Sequence, residues 1–546
     1  MKKWGPLVIL AAAQFVMVLD QAVMNVSISQ LVSDFDTTVT TIQGVITLYS
    51  LMMAMLMLTG GKIGDIIGRR RAFAIGLVIY GFGSALTAVS QTVPQLALGW
   101  SILEGIGAAL VLPALAALIA GNYEGRDRAA AYAVIGGVAG AGIAIGPILG
   151  GWATTELSWR VVFLGEVVLV VLILLGLRLL TDAPGPDRKP RLDYVGATLS
   201  ALGLGLIVFA MLQASIWGWL QPKDSPVEPF GFALTPFVIA AGGVVLWLFF
   251  RWQHRREDRG TDPLVHVALF RITPLRAGLQ AMLSQNLILM GVFFTIPLYL
   301  QLVLGFDALE TGIKMLPVSV AMFLASVAGS RLALKFSTRS IVRSGLSVIL
   351  VAVLLLMWTI QPSLRGLGFA TAMALLGLGM GLIASQVGNV VQSSVDASGR
   401  SEAGGLQYTS QQLGSAVGVA LIGAIVLSGL TGTFLAKVES DPRITDEVEQ
   451  EATVAVQGGV SFVSTDTVEQ AATDAGLPPD QVAAITENYS DAQLAALKVG
   501  LLASGAIALA ALAMTGGLPS RRPDAAPGDE PTEGGEDEGE PLIAPV

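Results

Sequence analysis

The chain has 546 residues, of which 53% are hydrophobic and only 13% charged, and its mean hydropathy is +0.68. Soluble domains are about a quarter charged, so this composition excludes an ordinary water-soluble enzyme. The absence of cysteine excludes disulfides and thiolate sites, and two histidines leave little for a metal cage. The formal charge of −9 argues against a nucleic-acid partner. We therefore expect no metal and no other cofactor, and a lipid bilayer as the surroundings.

A membrane-spanning helix needs about 20 consecutive apolar residues, and the sequence contains fourteen such stretches. The first is longer than a signal-peptide core and shows no clear cleavage site, which predicts a retained helix. The predicted helices 1 to 14 cover residues 5–30, 43–61, 72–91, 95–119, 131–151, 161–181, 194–216, 232–251, 277–301, 309–331, 341–360, 366–388, 406–430 and 493–516.

Lysines and arginines are distributed unevenly between alternate loops. With the N-terminus in the cytoplasm, 25 of the 32 basic residues face inwards and 7 face outwards. The positive-inside rule then predicts that both termini of this multi-pass protein are cytoplasmic.

Two segments carry the acidity of the chain. Residues 432–492, between helices 13 and 14, hold 12 acids and 2 bases, and the tail from Pro523 holds 8 acids and no base. We interpret both as loosely ordered, because each has few aromatic residues. Short surface helices near 446–455 and 480–488 are the alternative for the first segment. The rest of the chain has a net charge of +9, as a membrane body facing anionic lipids would have.

The string GGKIGDIIGRRR lies at the inner end of the second predicted helix and in the short loop after it. Gly61 and Gly64 would let helices approach closely, and Gly68 would permit a turn. Asp65 stands beside a run of arginines and predicts a compact charge cluster at the membrane surface.

The string GIAIGPILGGW lies in the fifth predicted helix. Gly142, Gly146 and Gly150 are four residues apart and therefore share one helix face, on which another helix could pack. Pro147 removes one backbone hydrogen bond and permits a bend. Ordinary small-residue packing accounts for any single glycine here, but not for the whole string.

These strings resemble two motifs of the major facilitator superfamily, namely a latch at the cytoplasmic gate and a motif typical of antiporters that export. Fourteen helices, LDQAVMNVS in helix 1 and LGFDALETGIKMLP between helices 9 and 10 narrow the resemblance to the fourteen-helix drug:proton antiporter branch. By position, the latch residues are Gly61, Asp65, Gly68, Arg69 and Arg70, and the antiporter-motif residues are Gly142, Gly146, Pro147, Gly150 and Gly151.

The resemblance covers roughly residues 5–430 and 493–516 and implies an all-α integral membrane protein with the major facilitator fold. That fold would have two six-helix bundles, with helices 7 and 8 inserted between them. The implied domains are residues 1–192, the first bundle; 193–262, the inserted helices; 263–516, the second bundle with the acidic outer loop; and 517–546, a disordered cytoplasmic tail.

Three acids fall inside predicted helices: Asp20 in helix 1, Glu104 in helix 4 and Glu166 in helix 6. An ionised acid near the bilayer centre costs about 2.5–3.5 kcal/mol on insertion scales, so three together indicate a functional site. No basic residue lies deep in helices 1–6, and burial without a counter-charge favours the protonated form. The pattern predicts a site that binds protons or, in exchange, a cationic substrate.

A purely structural role for two of these acids remains open. Asp20 could bond to Asn25, Gln21 or Ser27 for structure alone. Glu166 could form a salt bridge near the outer surface, where Arg160 directly precedes predicted helix 6.

Helix 4 departs from the family pattern. Where the family has an arginine and, three residues later, a glutamine, this chain has Ser101 and Glu104. Either proton coupling has been rebuilt around unpaired acids, or it has been weakened.

Uncharged polar residues in the predicted helices of both halves are candidates for a substrate cavity, although any one of them could simply bond between helices. Acids in one half, with amides and apolar surface in the other, suit a lipophilic substrate better than a sugar or peptide. The candidate cavity residues are Asn25, Ser101, Gln285, Asn286, Gln386, Tyr408 and Gln411.

We therefore expect a monomeric exporter in the bacterial inner membrane that exchanges lipophilic, cationic small molecules for protons. The alternative in the same class exports a lipid, antibiotic or metabolite with weak coupling. Two other classes are less favoured. An intramembrane hydrolase would need paired acids, and no aspartyl-protease signature is present; a non-transporting sensor would use the acidic loop as its receptor surface.

Overall fold

A computed structural model describes residues 3–123, 125–182, 191–333, 335–395, 400–445, 448 and 462–520. Within these ranges the regular secondary structure is entirely helical, and fourteen helices are long and apolar enough to cross a membrane. The predicted number of helices is confirmed. They are α1 (Gly5–Val26), α2 (Val39–Ile67), α3 (Arg69–Ala88), α4 (Val93–Ile119), α5 (Val134–Glu156), α6 (Trp159–Leu179), α7 (Tyr194–Ala214), α8 (Thr235–Asp258), α9 (Thr273–Val303), α10 (Ala308–Gly329), α11 (Thr338–Thr359), α12 (Gly366–Ser393), α13 (Glu402–Ser440) and α14 (Pro479–Gly517).

Polar residues at the helix ends satisfy backbone groups that the helices leave free. The side chains of Thr38 and Ser158 accept hydrogen bonds from the first turns of α2 and α6. Asp307 and Glu310 form a reciprocal capping box at the start of α10.

The two halves, α1–α6 and α9–α14, meet along two pairs of helices. α2 packs against α13, and α5 packs against α10. α7 lies against α2 and α13, whereas α8 packs mainly on α7 and is the least buried of the fourteen helices. The inserted pair therefore sits on the outside of the junction, with α8 facing lipid. We call the side on which α1 begins and α8 ends the basic side.

The acidic segment between α13 and α14 is more ordered than predicted. α13 continues to Ser440, a short helix spans Thr465–Asp474, and α14 begins at Pro479. The predicted helix at 480–488 is therefore confirmed as the start of α14, and the loosely ordered interpretation is wrong for residues 462–492. The segment at 446–455, apart from residue 448, and the tail from residue 521 lie outside the described residues.

Paired charges and one buried aromatic ring account for that order. Arg443 bonds to the carboxylates of Asp441 and Glu487, at 2.8 and 2.9 Å. The backbone N–H of Val463 donates a 3.0 Å hydrogen bond to the phenol oxygen of Tyr489, and the neighbouring residue in sequence, Phe462, is buried. An acidic composition predicted repulsion, but pairwise contacts of this kind could not be seen in the sequence.

Candidate functional site

The three acids predicted in the membrane meet in the first half. Asp20 lies on α1, Glu104 on α4 and Glu166 on α6, and all three side chains are at most 1% exposed. One carboxylate oxygen from each lies within 4.8 Å of the other two. The acids therefore form one cluster, which we call the acid cluster.

A buried tryptophan holds the first of these acids. The indole N–H of Trp100 donates a 2.6 Å hydrogen bond to Oδ1 of Asp20. Its ring stacks on Tyr49 of α2, with the centroids 4.5 Å apart and the planes 6° from parallel. α1, α2 and α4 are thus joined at the acid cluster.

Helix α3 supplies the hydroxyl groups that bind the other two acids. Thr87 donates to Glu104 at 3.3 Å, while Ser84 and Tyr80 donate to Glu166 at 3.0 and 3.3 Å. The sequence analysis missed these three residues. Their spacing, at positions 80, 84 and 87, places them on one face of a helix, and that polar stripe is the signal that would have found them.

Two glycines permit this arrangement. A Cβ atom on Gly83 of α3 would lie 2.8 Å from the side chain of Glu104 and 2.7 Å from the backbone oxygen of Gly99. Residues 97–104 of α4 form a π-helical stretch, a feature frequently found at functional sites. The close approach of α3 to α4 therefore brings Glu104 within reach of Thr87.

Each acid keeps one carboxylate oxygen without a hydrogen bond in the described part of the chain: Oδ2 of Asp20, Oε2 of Glu104 and Oε1 of Glu166. No ion pair between these acids and a base is found among the described residues. Three adjacent carboxylates cannot all be ionised cheaply in a buried site. The acid cluster is therefore suited to hold one or more protons, or another small cation such as a metal ion.

The purely structural contacts considered above for Asp20 and Glu166 are not found among the described residues. Arg160 pairs with Asp34 at 2.9 Å instead of with Glu166. Asn25 donates to the backbone of its own helix, and Ser27 does the same and also contacts Thr154. Asp20 receives its hydrogen bond from a different helix.

The latch string forms a tight turn on the basic side. Gly68 adopts a φ of 99°, which favours glycine, as predicted. Arg69 pairs with Asp65 at 3.3 Å, and the backbone N–H of Arg70 donates to Asp182 at 3.2 Å. The charge cluster is therefore present at the turn between α2 and α3.

The prediction that Gly61 and Gly64 allow close packing is wrong. A Cβ atom on either would make only ordinary contacts, 3.6 and 3.7 Å from its nearest neighbours. The close approach is at Gly60, where a Cβ atom would collide with the backbone carbonyl of Ala109 on α4. Gly60 is the first residue of the same string. It is the glycine of this string that lies where α2 comes close to α4.

The glycine string of α5 packs on α1, as its spacing predicted. Cβ atoms on Gly142 and Gly150 would lie 2.9 Å from Val18 and Val23, and one on Gly146 would collide with Ala22. The other side of this helix meets the second half. A Cβ on Gly151 would collide with the backbone of Ala308, and the backbone oxygen of Pro147 faces Gly312 of α10.

Most of the predicted cavity residues have hydrogen-bond or sulfur contacts of their own. Ser101 donates to the backbone oxygen of Val45, Gln285 to that of Met380, and Gln386 to that of Gly329. Asn286 bonds to its own helix, Gln411 lies 3.9 Å from the sulfur of Met282, and Tyr408 is half-buried. Most of these groups therefore join neighbouring helices, which is the alternative to a substrate cavity that the sequence left open.

Two contacts between the halves were not predicted. Gln21 of α1 lies 3.5 Å from Gln412 of α13. On the side opposite the basic side, Gln301 of α9 donates to the backbone oxygen of Val26 at 3.0 Å and accepts from Ser29. A bend at Ser27, after α1, leaves the oxygen of Val26 available to Gln301. We call this contact the opposite-side link.

Comparison with known proteins agrees with the fold. The chain is 30% identical to the puromycin resistance protein pur8 of Streptomyces alboniger, over 81% of this chain and 86% of the relative. It is 28% identical to the multidrug efflux pump LfrA of Mycolicibacterium smegmatis, over 88% and 94%, and 27% identical to the tetracenomycin C resistance and export protein of Streptomyces glaucescens, over 94% and 91%.

Solved structures and a family model point the same way. A bacterial homologue of the human lysosomal transporter Spinster, in an inward-facing and unoccupied conformation, aligns with a TM-score of 0.58 at 14% identity, over 94% of this chain and 98% of that one. Residues 10–419 match the family model of the Major Facilitator Superfamily. The chain therefore belongs to the Major Facilitator Superfamily.

Proposed function

We propose that this protein is a secondary active exporter that moves lipophilic, cationic drugs or toxic compounds out of a bacterial cell in exchange for protons. The acid cluster is the observation that carries this proposal, because it offers buried carboxyl groups without a counter-charge. The relatives named for puromycin resistance, tetracenomycin C export and multidrug efflux support an exporter of small molecules. They also favour transport over intramembrane hydrolysis.

Exchange follows from competition for the acid cluster. When the cluster faces outside, Asp20, Glu104 and Glu166 take up protons. When it faces inside, where the proton concentration is lower, the protons leave and the negative cluster attracts a cationic substrate. The protein can switch between its inward-facing and outward-facing conformations only when a proton or a substrate cation neutralises the acid cluster. A proton therefore moves in as a substrate cation moves out.

The latch string and the glycine string of α5 would take part in the switch between the inward-facing and outward-facing conformations. The latch formed by Asp65, Arg69 and Arg70 would hold the basic side closed, and the glycine face of α5 would let α1 slide while carrying Asp20. The opposite-side link through Gln301 would close the other side. In this scheme both termini are cytoplasmic, and a monomer in the inner membrane is sufficient.

The available driving force is adequate. In a one-for-one exchange of a proton for a univalent cation the membrane potential does no net work, and a pH difference of one unit supplies about 1.4 kcal/mol, or about a tenfold concentration ratio of substrate. Each further proton exchanged adds about 2.3 kcal/mol per 100 mV, or about fifty-fold. Export of a lipid, antibiotic or metabolite with weak coupling is the second candidate, favoured by the serine at position 101 where the family has an arginine. A sensor without transport is a remote third.

The test uses everted membrane vesicles from a host that lacks its own exporters. Proton-dependent uptake of the cationic dye ethidium is expected with the full chain, and an ionophore should abolish it. A sodium gradient imposed without a proton gradient should not drive uptake. Full proton-dependent uptake by a variant with Asp20→Asn and Glu104→Gln would refute the proposal, as would uptake that the ionophore leaves unchanged.

A further inference from the structure

A cavity of about 530 Å³ opens at the basic end of α8, far from the acid cluster. One wall is α8 itself, and the other is the short helix Val267–Arg271, which leads into α9. Six of its lining residues are aromatic or basic: Trp247, Phe250, Arg251, His254, Arg255 and Arg271. We call this cavity the arginine pocket.

The sequence builds the pocket from one face of α8. Positions 247, 250, 251, 254 and 255 follow the spacing of neighbours on a helix surface. The ring of Phe250 packs edge-on against that of Phe270, with centroids 5.5 Å apart, and so fixes the short helix beside α8. Arg271, at the end of that helix, is thereby placed across the pocket from the arginines of α8.

The other face of α8 is anchored to the protein. Gln253 is buried and accepts hydrogen bonds from the backbone of Leu264 and Val265. Arg256 donates to the backbone oxygen of Asp262 and lies 3.6 Å from the carboxylate of Asp193. The arginines that hold the fold and the arginines that line the pocket are therefore different residues.

The pocket arginines have no acidic partner in the part of the chain that the structure describes. Arg251, Arg255 and Arg271 are exposed and form no ion pair with any described residue. The nearest acid contact of a lining residue is that of His254 with Asp258, at 3.8 Å. The pocket thus carries an uncompensated positive charge and suits an anion.

The pocket also lies against lipid. α8 is the least buried spanning helix, and Val244 and Trp247, just below the arginines, are both 56% exposed. Tryptophan is enriched where hydrocarbon meets the headgroups, and the guanidinium of Arg251 lies 5.3 Å from the Trp247 ring centroid. An anion in this pocket would be at headgroup depth, with its apolar part beside exposed aromatic rings.

We propose that the arginine pocket binds an anionic phospholipid, with the phosphate held by Arg251, Arg255 and Arg271 and the acyl chains lying along Trp247 and Phe250. A general belt of tryptophan and arginine would explain single exposed residues, but not an open groove lined on its second side by the short helix Val267–Arg271. Guanidinium groups bind phosphate through several hydrogen bonds at once, and basic pockets between membrane helices bind anionic headgroups. This inference does not depend on the proposed transport activity.

The test measures lipid binding to the purified full chain in detergent by native mass spectrometry. Dioleoyl phosphatidylglycerol is compared with dioleoyl phosphatidylcholine, which has no net charge. We expect phosphatidylglycerol to bind at least about tenfold more tightly, and the variant with Arg251→Gln, Arg255→Gln and Arg271→Gln to lose this preference. Arg178→Gln, Arg276→Gln and Arg331→Gln together remove the same charge from exposed positions on the same side and should change the affinity less than about twofold.

Several results would overturn the proposal. One is equal affinity for the two lipids. Another is an equal loss of phosphatidylglycerol affinity in the pocket variant and the control variant. The third is that inorganic phosphate binds with the same dependence on the arginines while phosphatidylglycerol does not bind. If the triple variant does not fold, Arg255→Gln alone should still weaken phosphatidylglycerol binding. Trp247→Ala should weaken binding of the long-chain lipid but not of glycerol phosphate, because only the former contacts the ring.

Discussion

The two halves of the molecule treat buried polar groups differently. In the first half, Asp20, Glu104 and Glu166 come together and each keeps an oxygen without a hydrogen bond. In the second half, buried Gln285 and Gln386 donate to backbone oxygens of neighbouring helices. A paired amide joins helices and has no charge to change, whereas an unpaired carboxyl group can exchange a proton. In the proposed function, the first half would hold the coupling chemistry and the second half would be its partner in movement.

The largest effect should come from neutralising the acids. With Asp20→Asn or Glu104→Gln, each uncoupled proton lowers the substrate accumulation ratio about fifty-fold at 100 mV. Gln285→Leu and Gln386→Leu remove polar groups from the second half and should leave the ratio within about twofold, since an amide carries no proton to exchange and the number of coupled protons sets the ratio. Dye accumulation in vesicles at a fixed potential measures both. An equal fall in dye accumulation in the acid variants and the glutamine variants would contradict the difference between the two halves.

The next effect concerns the helix that carries Asp20. Gly146→Val would force α1 away from α5, because even a Cβ atom there collides with Ala22. We expect a loss of about 1–3 kcal/mol in stability from overpacking, measured as a lower thermal unfolding temperature in detergent. Gly136→Val is the matched control on α5, since a Cβ at position 136 meets nothing within 4 Å. Unfolding temperatures that fall equally would show that α1 does not depend on this face.

Much of this account was predictable from the sequence, and the parts that were not have identifiable causes. Apolar runs predicted fourteen helices, and the spacing of Gly142, Gly146 and Gly150 predicted the packing face on α5. Burial cost predicted that the three acids act together. The donors Tyr80, Ser84 and Thr87 were missed because hydroxyl groups are common in membrane helices and their partners lie on other helices.

The ends of α13 and α14 were missed for a different reason. A search for apolar stretches detects only the part of a helix that lies in hydrocarbon, and both helices continue beyond it as polar, charge-paired segments. The link through Gln301 depends on a bend at Ser27 that neither glycine nor proline marks. Such long-range contacts require the fold.

A smaller effect is expected from the opposite-side link, where the halves touch. Gln301→Leu removes the hydrogen bond to Val26 and should favour opening on that side by about 1 kcal/mol, or about fivefold in population. The chain has no cysteine, so a single Asn25→Cys reporter near the link can be labelled with a thiol reagent. Labelling should be about fivefold faster with Gln301→Leu and unchanged with Gln285→Leu. Unchanged labelling in both would show that this contact does not hold the halves together.

The smallest effect is pH-dependent and lies on the basic side. The hydrogen bond to Glu402 raises the pKa of His266 above its usual value of 6.5, against the opposing effect of partial burial. The charged contact is therefore complete below pH 6.5 and is lost as the pH rises through the raised pKa. His266→Gln should lower the unfolding temperature at pH 6 but not at pH 9, within the about 1 kcal/mol expected of an exposed pair. His254→Gln is the control, and an equal effect at both pH values would contradict this reasoning.

The most direct test of the acid cluster is to count the protons that substrate binding displaces. The purified protein is mixed with a saturating cationic substrate in weakly buffered detergent solution, and proton release is followed with a pH indicator. We predict release of at least about one proton per protein molecule, none from the Asp20→Asn, Glu104→Gln variant, and undiminished release from the Gln285→Leu variant. Undiminished release from the acid variant, or no release from the unaltered protein, would contradict the assignment of proton exchange to these acids.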